Sequence, residues 1–137
     1  MIRYLLDTSA VLAHYRNEPG AARVQELIEE EGSEILIASP TLVEFRRRMK
    51  ELGATPRVID DAISGYEEMA DEIISIDKAA ADAAWQLSRN TGRRLPLVDS
   101  LIAGAARAAS AVLVHRDPHM AAIPSSLLTQ TQLGSKA

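Results

Sequence analysis

Four short runs rich in aliphatic side chains punctuate the chain: Ile2–Leu6, Glu34–Ala38, Glu72–Ile76 and Ala111–Val114. Runs of this length, apolar without strict alternation, read as strands buried on both faces. Between them, apolar residues recur at three- and four-residue spacing and predict helices. The first helix begins around Ser9. A second follows Glu18-Pro19-Gly20 and continues to about Glu31, where Gly32 ends it. Ser39-Pro40 reads as N-cap and first turn of a helix carrying Leu42, Val43, Phe45, Met49 and Leu52. Thr55-Pro56 repeats the device for a helix through Ile59, Ile63 and Tyr66. Asp77 caps a helix from Lys78 to Arg89 that buries Ala81, Ala84, Trp85 and Leu87, with Gly92 closing it. Pro96 precedes an Ala-rich helix with Leu97, Leu101, Ile102 and Ala105 on one face. Strands separated by helices imply right-handed crossovers and a mainly parallel α/β sheet covered on both sides.

Composition narrows this without changing it. At 137 residues the chain suits one domain, and at 47% hydrophobic it has material for a core. Only 4% is aromatic, so that core is aliphatic. The lack of cysteine removes disulfides, thiolate metal sites and a cysteine nucleophile together, and fits a cytoplasmic protein. No apolar run approaches the roughly 20 residues that span a bilayer, so no membrane association is expected. The N-terminus shows no secretory signal pattern. A net charge of −4 has the wrong sign for binding polyanions over the whole surface, leaving local basic patches for any nucleic acid.

The candidate chemistry lies in four acids set among apolar residues. Asp7 and Asp117 each follow a strand, which puts both along one edge of the sheet, where ligands collect in open α/β folds. Asp99 falls in the first turn of its helix, and Glu44 in the second turn of a helix that starts just after a strand. Right-handed connections bring all four to that edge. Clustered carboxylates cannot all stay ionised without compensation, and a hard divalent cation such as Mg²⁺ or Mn²⁺ supplies it.

These residues resemble the PIN-domain ribonucleases, in particular the VapC-like toxins of toxin–antitoxin pairs. The resemblance rests on Leu5-Leu6-Asp7-Thr8-Ser9-Ala10, Leu42-Val43-Glu44, Leu97-Val98-Asp99-Ser100-Leu101-Ile102-Ala103 and Val112-Leu113-Val114-His115-Arg116-Asp117. It spans nearly the whole chain. The motifs are weak singly and fairly specific in this order and spacing. The resemblance implies a three-layer α/β/α PIN-like domain over residues 1–133, with 134–137 a disordered tail. It implies Mg²⁺/Mn²⁺-dependent endoribonuclease activity, with Asp7, Glu44, Asp99 and Asp117 at the acidic positions. Asp7, Asp99 and Asp117 are the expected metal ligands, and Glu44 a ligand or base. A homodimer silenced by a small antitoxin is also implied. One position departs from the family pattern: His115 stands where a hydroxyl residue is usual.

Each residue has a plainer reading. Asp7 alone could cap the helix after it, Glu44 could be a surface acid, Asp99 could favour the helix dipole, and Asp117-Pro118 could form a turn. Thr8 and Ser9 suit local bonds, though Ser9 also stands where it could orient Asp7 or touch substrate. Arg46, with Arg47, Arg48 and Lys50, makes either a solvated face or a phosphate contact, as do Arg93, Arg94 and Arg116. His115 and His119 read as surface histidines, and Pro118 between them argues against helical chelation of zinc. A Walker loop and a Gly-x-Gly-x-x-Gly turn are absent. A haloacid-dehalogenase-type phosphatase would need an Asp where Ser9 stands. The remaining alternatives are a non-catalytic PIN-like module that binds RNA or protein, and more remotely a receiver-like phosphoacceptor domain. Four acids together speak against the first.

Overall fold

In the computed structural model, which describes residues 1–134, the chain runs β1 (Ile2–Leu6), α1 (Thr8–Tyr15), α2 (Ala21–Glu29), β2 (Ser33–Ala38), α3 (Ser39–Glu51), α4 (Pro56–Met69), β3 (Glu72–Ile74), α5 (Lys78–Asn90), α6 (Leu97–Ala108), β4 (Val112–His115), α7 (Pro118–Ala121) and β5 (Gln130–Gln132). Among the described residues the strands make one sheet in the order β3-β2-β1-β4-β5, every pairing parallel. Leu5 stands opposite both Leu36 and Leu113, and Leu6 opposite both Ile37 and Val114.

That register sorts the side chains between two cores. Tyr4, Leu6, Ile35, Ile37 and Val114 face α1 to α4, meeting Val11, Val24, Leu27, Phe45, Ile59, Ile63 and Tyr66. Leu5, Leu36, Ala38 and Leu113 face α5 to α7, meeting Leu87, Ile102, Ala105 and Met120. The result is the expected three-layer α/β/α fold. On the second face α5 and α6 approach closely at Gly104, where an added Cβ would lie 2.4 Å from the Ala80 carbonyl oxygen.

Chain direction explains where a site can form. From β1 the chain steps outward to β2 and β3 with its helices on one face. It then crosses under the sheet through α5 and α6 and inserts β4 on the other side of β1. The crevice beyond the C-terminal ends of β1 and β4 is therefore the topological switch point.

Several sequence expectations need correction. Ser39 is not the N-cap of α3: Ala38 occupies that place without a side-chain bond, and Ser39 and Pro40 form the first turn. Thr55 and Asp77 do cap, accepting from the backbone N–H of Val58 and Ala80. Val43 and Leu52 on α3, Ala81 and Trp85 on α5, and Leu97 on α6 are exposed; Thr41, Ala80 and Ser100 take inward places instead. In α5 the expected Ala84 and Leu87 are buried, and Ala80 completes their stripe in place of Ala81 and Trp85. α2 stops at Glu29, ahead of Gly32, and α5 at Asn90, ahead of Gly92. β3 ends at Ile74 and β4 reaches His115. Neither α7 nor β5 was expected. Of the expected tail, residues 135–137 lie outside the described residues.

Candidate metal centre

The switch point is lined by strand ends that turn at once into helices. After β1, Asp7 keeps extended backbone and caps α1, its Oδ1 accepting from Ala10 N–H at 2.9 Å. Ser9 Oγ donates to the same oxygen at 2.7 Å and accepts from the Arg116 N–H at 2.8 Å. Ser9 thus ties the mouth of β1 to that of β4. Asp7 is only 3% exposed, and burial pushes its carboxyl up to about 7, with the charges of Asp117 and Asp99 adding repulsion.

After β4, Asp117 caps α7 and accepts from His119 N–H at 2.9 Å. Pro118 at the first helical position, where a missing N–H costs nothing, folds the chain so that the His119 ring returns over its own cap. His119 Nδ1 stands 3.1 Å from Asp117 Oδ1 and 3.9 Å from Asp99 Oδ2. Asp99 comes from the first turn of α6. Burial pushes its carboxyl up to about 7, reinforced by the charges of Asp117 and Glu44 and opposed by His119. One ligand atom each from Asp99, Asp117 and His119 lies within 4.8 Å of the other two.

Glu44, in the second turn of α3, completes the acidic lining. Thr8 Oγ1 donates to its Oε1 at 2.6 Å, and Thr41 Oγ1 is 3.2 Å from the same hydroxyl. The structure therefore brings Asp7, Glu44, Asp99 and Asp117 to one mouth, with Asp99 and Asp117 in the tightest group. Repulsion among them is the signature of a place that wants a cation, and oxygen donors in that number suit a hard divalent ion. The donor set fits the Mg²⁺ or Mn²⁺ that the sequence suggests.

The basic residues are placed less evenly. Arg116 is spoken for: its guanidinium bonds Glu18 at 2.9 Å and the Pro19 carbonyl at 2.9 Å. Arg46 is exposed on α3, and Arg93 and Arg94 are exposed in the loop leading into α6. Arg47 and Arg48 line a cavity of about 420 Å³ with Thr8, Leu12, Glu44 and Glu51, beside the acids.

One histidine overturns its surface reading, and a second stands at the surface beside the acids. His115 is fully buried. Its Nδ1 accepts from Asp117 N–H at 3.1 Å, which leaves Nε2–H to donate to Gln130 Oε1 at 2.6 Å. The imidazole, where a hydroxyl residue is usual, braces Asp117 against β5; burial holds its pKa down, keeping it neutral. His119 was missed as a site residue altogether. The pattern Asp-Pro-X is its only local signal, because a capping Asp with Pro after it folds X back over the cap.

With this geometry in place, comparison defines the class. The PIN domain family model matches residues 4–125, and the chain belongs to that family. Solved structures of like fold narrow it further. VapBC2 of Rickettsia felis, bound to a fragment of promoter DNA, aligns with TM-score 0.77 at 18% identity, covering 97% of this chain and 100% of that one. DNA-bound VapBC of Salmonella typhimurium gives 0.75 at 22%, covering 96% and 98%. VapC20 of Mycobacterium tuberculosis, a sarcin-ricin-loop-cleaving toxin, gives 0.67 at 15%, covering 87% and 94%. The fold is that of VapC-like PIN proteins. No curated protein sequence matches the chain. No helix among the described residues is long and apolar enough to cross a membrane.

Proposed function

We propose that the protein is a metal-dependent endoribonuclease acting as the toxin of a toxin–antitoxin pair. The observation that carries the reading is the convergence at the switch point of Asp7, Asp99 and Asp117, two of them pushed up to about 7. Asp7, Asp99 and Asp117 hold Mg²⁺ or Mn²⁺; when bound, the ion supplies charge neutralisation at a phosphodiester and a route to hydroxide at neutral pH. Glu44 accepts the proton of the attacking water, its carboxylate oriented by the Thr8 hydroxyl. Ser9 fixes the Asp7 carboxylate, and its own bonds leave it a positioning residue rather than a substrate contact. Arg46, Arg93 and Arg94 are available to RNA phosphates; Arg116 acts through Glu18, holding the loop before α2. No side-chain nucleophile is required.

The partner reading follows from the same charge. A mouth of unneutralised carboxylates attracts an Arg or Lys, and desolvation on docking strengthens the pair. One protein of like fold is a member of the VapBC family of toxin–antitoxin systems, which supports a small antitoxin partner here.

The test is cleavage of RNA by purified protein with Mn²⁺, with EDTA, and after Asp99→Asn, a change that keeps shape and removes an anionic ligand. Cleavage is expected only in the first condition. Cleavage in EDTA, or by the variant at full rate, rejects the metal reading.

A further inference from the structure

We infer that His119 is a direct ligand of the ion held by Asp99 and Asp117, and that its imidazole makes the site select a first-row transition ion over Mg²⁺. The inference rests on the metal reading above and adds to it a nitrogen donor that the four acids do not contain.

The geometry comes first. Metal–nitrogen and metal–oxygen bonds of roughly 2.0–2.2 Å require two ligand atoms on one ion to lie within about 4.4 Å of each other. His119 Nδ1 stands 3.1 Å from Asp117 Oδ1 and 3.9 Å from Asp99 Oδ2, so one ion can touch all three atoms with little movement of the ring. The His119 side chain is 44% exposed, and the ring has room to turn those few tenths of an ångström. Its position is set by the backbone rather than by chance contact: the Asp117 cap binds His119 N–H, and Pro118 fixes the turn between them.

The other histidines do not compete. His115 has both ring nitrogens engaged, by Asp117 N–H and by Gln130. His14 bonds Tyr66 and Gln25 on the opposite face of the sheet. The chain has three histidines, so a nitrogen signal at the metal belongs to His119.

Selectivity follows from donor chemistry. Mg²⁺ prefers oxygen and holds its waters, whereas imidazole favours the series from Mn²⁺ to Zn²⁺. One carboxylate-flanked imidazole therefore separates ions of equal charge. It also places two residues of one turn, Asp117 and His119, on the same ion, so the ion would order α7 as well as the mouth.

The experiment uses the full chain stripped with EDTA. Pulsed EPR on the Mn²⁺-loaded protein is expected to show ¹⁴N modulation that disappears in His119→Gln. Titration calorimetry is expected to give affinities rising from Mg²⁺ to Mn²⁺ to Zn²⁺. In His119→Gln, Mn²⁺ and Zn²⁺ affinity should fall tenfold or more while Mg²⁺ affinity changes little. His119→Asp, with an all-oxygen set, should still bind ions but shift its preference toward Mg²⁺. Unchanged metal preference in both variants, with no nitrogen signal in the wild type, overturns the inference and leaves the acidic metal site standing. Failure of the wild type to bind any of the three ions overturns the metal reading itself.

Discussion

The mouth is built twice from one local device, once after β1 and once after β4. In each case a buried strand leads into an Asp that caps the helix after it, directly after β1 and past Arg116 after β4. At Asp7 the device is closed: the carboxylate is buried, takes bonds from Ala10 and Ser9, and opens an eight-residue helix packed in the core. At Asp117 it is open: the helix is four residues long, and the carboxylate is shared with Asp99 and His119. Local sequence makes the cap in both, but what packs around it decides the role. The first Asp is held by its own helix, and burial raises its carboxyl to about 7. The second keeps its carboxylate beside Asp99 and His119, on another helix and on its own turn.

The largest effects should be shared by both junctions. Asp7→Asn and Asp117→Asn should each cut RNA cleavage by roughly 10²–10⁴-fold, since a metal supplies several kcal/mol of transition-state stabilisation and each 1.36 kcal/mol is tenfold. Rate assays check this, and near-normal rates in either variant would remove that residue from the site.

Stability should then separate the two. The Asp7 carboxyl rises from 3.8 to about 7 on folding. A raised acid binds its proton in the folded state first, so stability grows as pH falls from about 7 toward 4 and is lost as pH rises through that window. At one unit per 1.36 kcal/mol the difference is roughly 4 kcal/mol at most. In EDTA, Asp7→Asn should raise the melting temperature at neutral pH by several degrees and flatten this pH dependence. Asp117→Asn should do so much less. Melts from pH 4 to 8 on the three proteins decide it, and equal behaviour would erase the distinction between the closed and the open cap.

A smaller shift is expected from metal. Mn²⁺ at a hundred times its dissociation constant should stabilise the wild type by about 2.7 kcal/mol. Asp99→Asn should gain clearly less in the same thermal scan. Equal gains would mean that the ion sits elsewhere.

The smallest effect tests the tie between junctions. Ser9→Ala removes the bridge between Asp7 and the Arg116 N–H and should cost about 1 kcal/mol in chemical denaturation. A neutral result would mean that the two mouths are held together by strand pairing alone.

Much of this was legible in the residue pattern, for identifiable reasons. Leu5, Leu36 and Leu113 sit in runs too apolar for anything but a sheet covered on both faces, and the acids that soon follow two of those runs then share an edge. β5 was invisible because Gln130-Thr131-Gln132 has no apolar signal; its place is secured by pairing with β4 and by the Gln130–His115 bond. Trp85 and Leu97 misled because size suggested burial, whereas Ala80 and Gly104 let α5 and α6 pack too closely to admit larger groups. His119 meets Asp117 on its own turn but also Asp99, about twenty residues back along the chain and on another helix, and spacing carries no trace of that.

The insertion of β4 beside β1 also sets a timetable. Leu5 and Leu113 are neighbours in the sheet although nearly the whole chain lies between them. Contacts so remote in sequence form late, since the intervening segment must first be made and folded. A chain still emerging from the ribosome holds Asp7 and Glu44 long before it holds Asp117. Synthesis interrupted anywhere before β4 leaves the mouth without Asp117 and His119, so the site is finished only after β4 has joined β1.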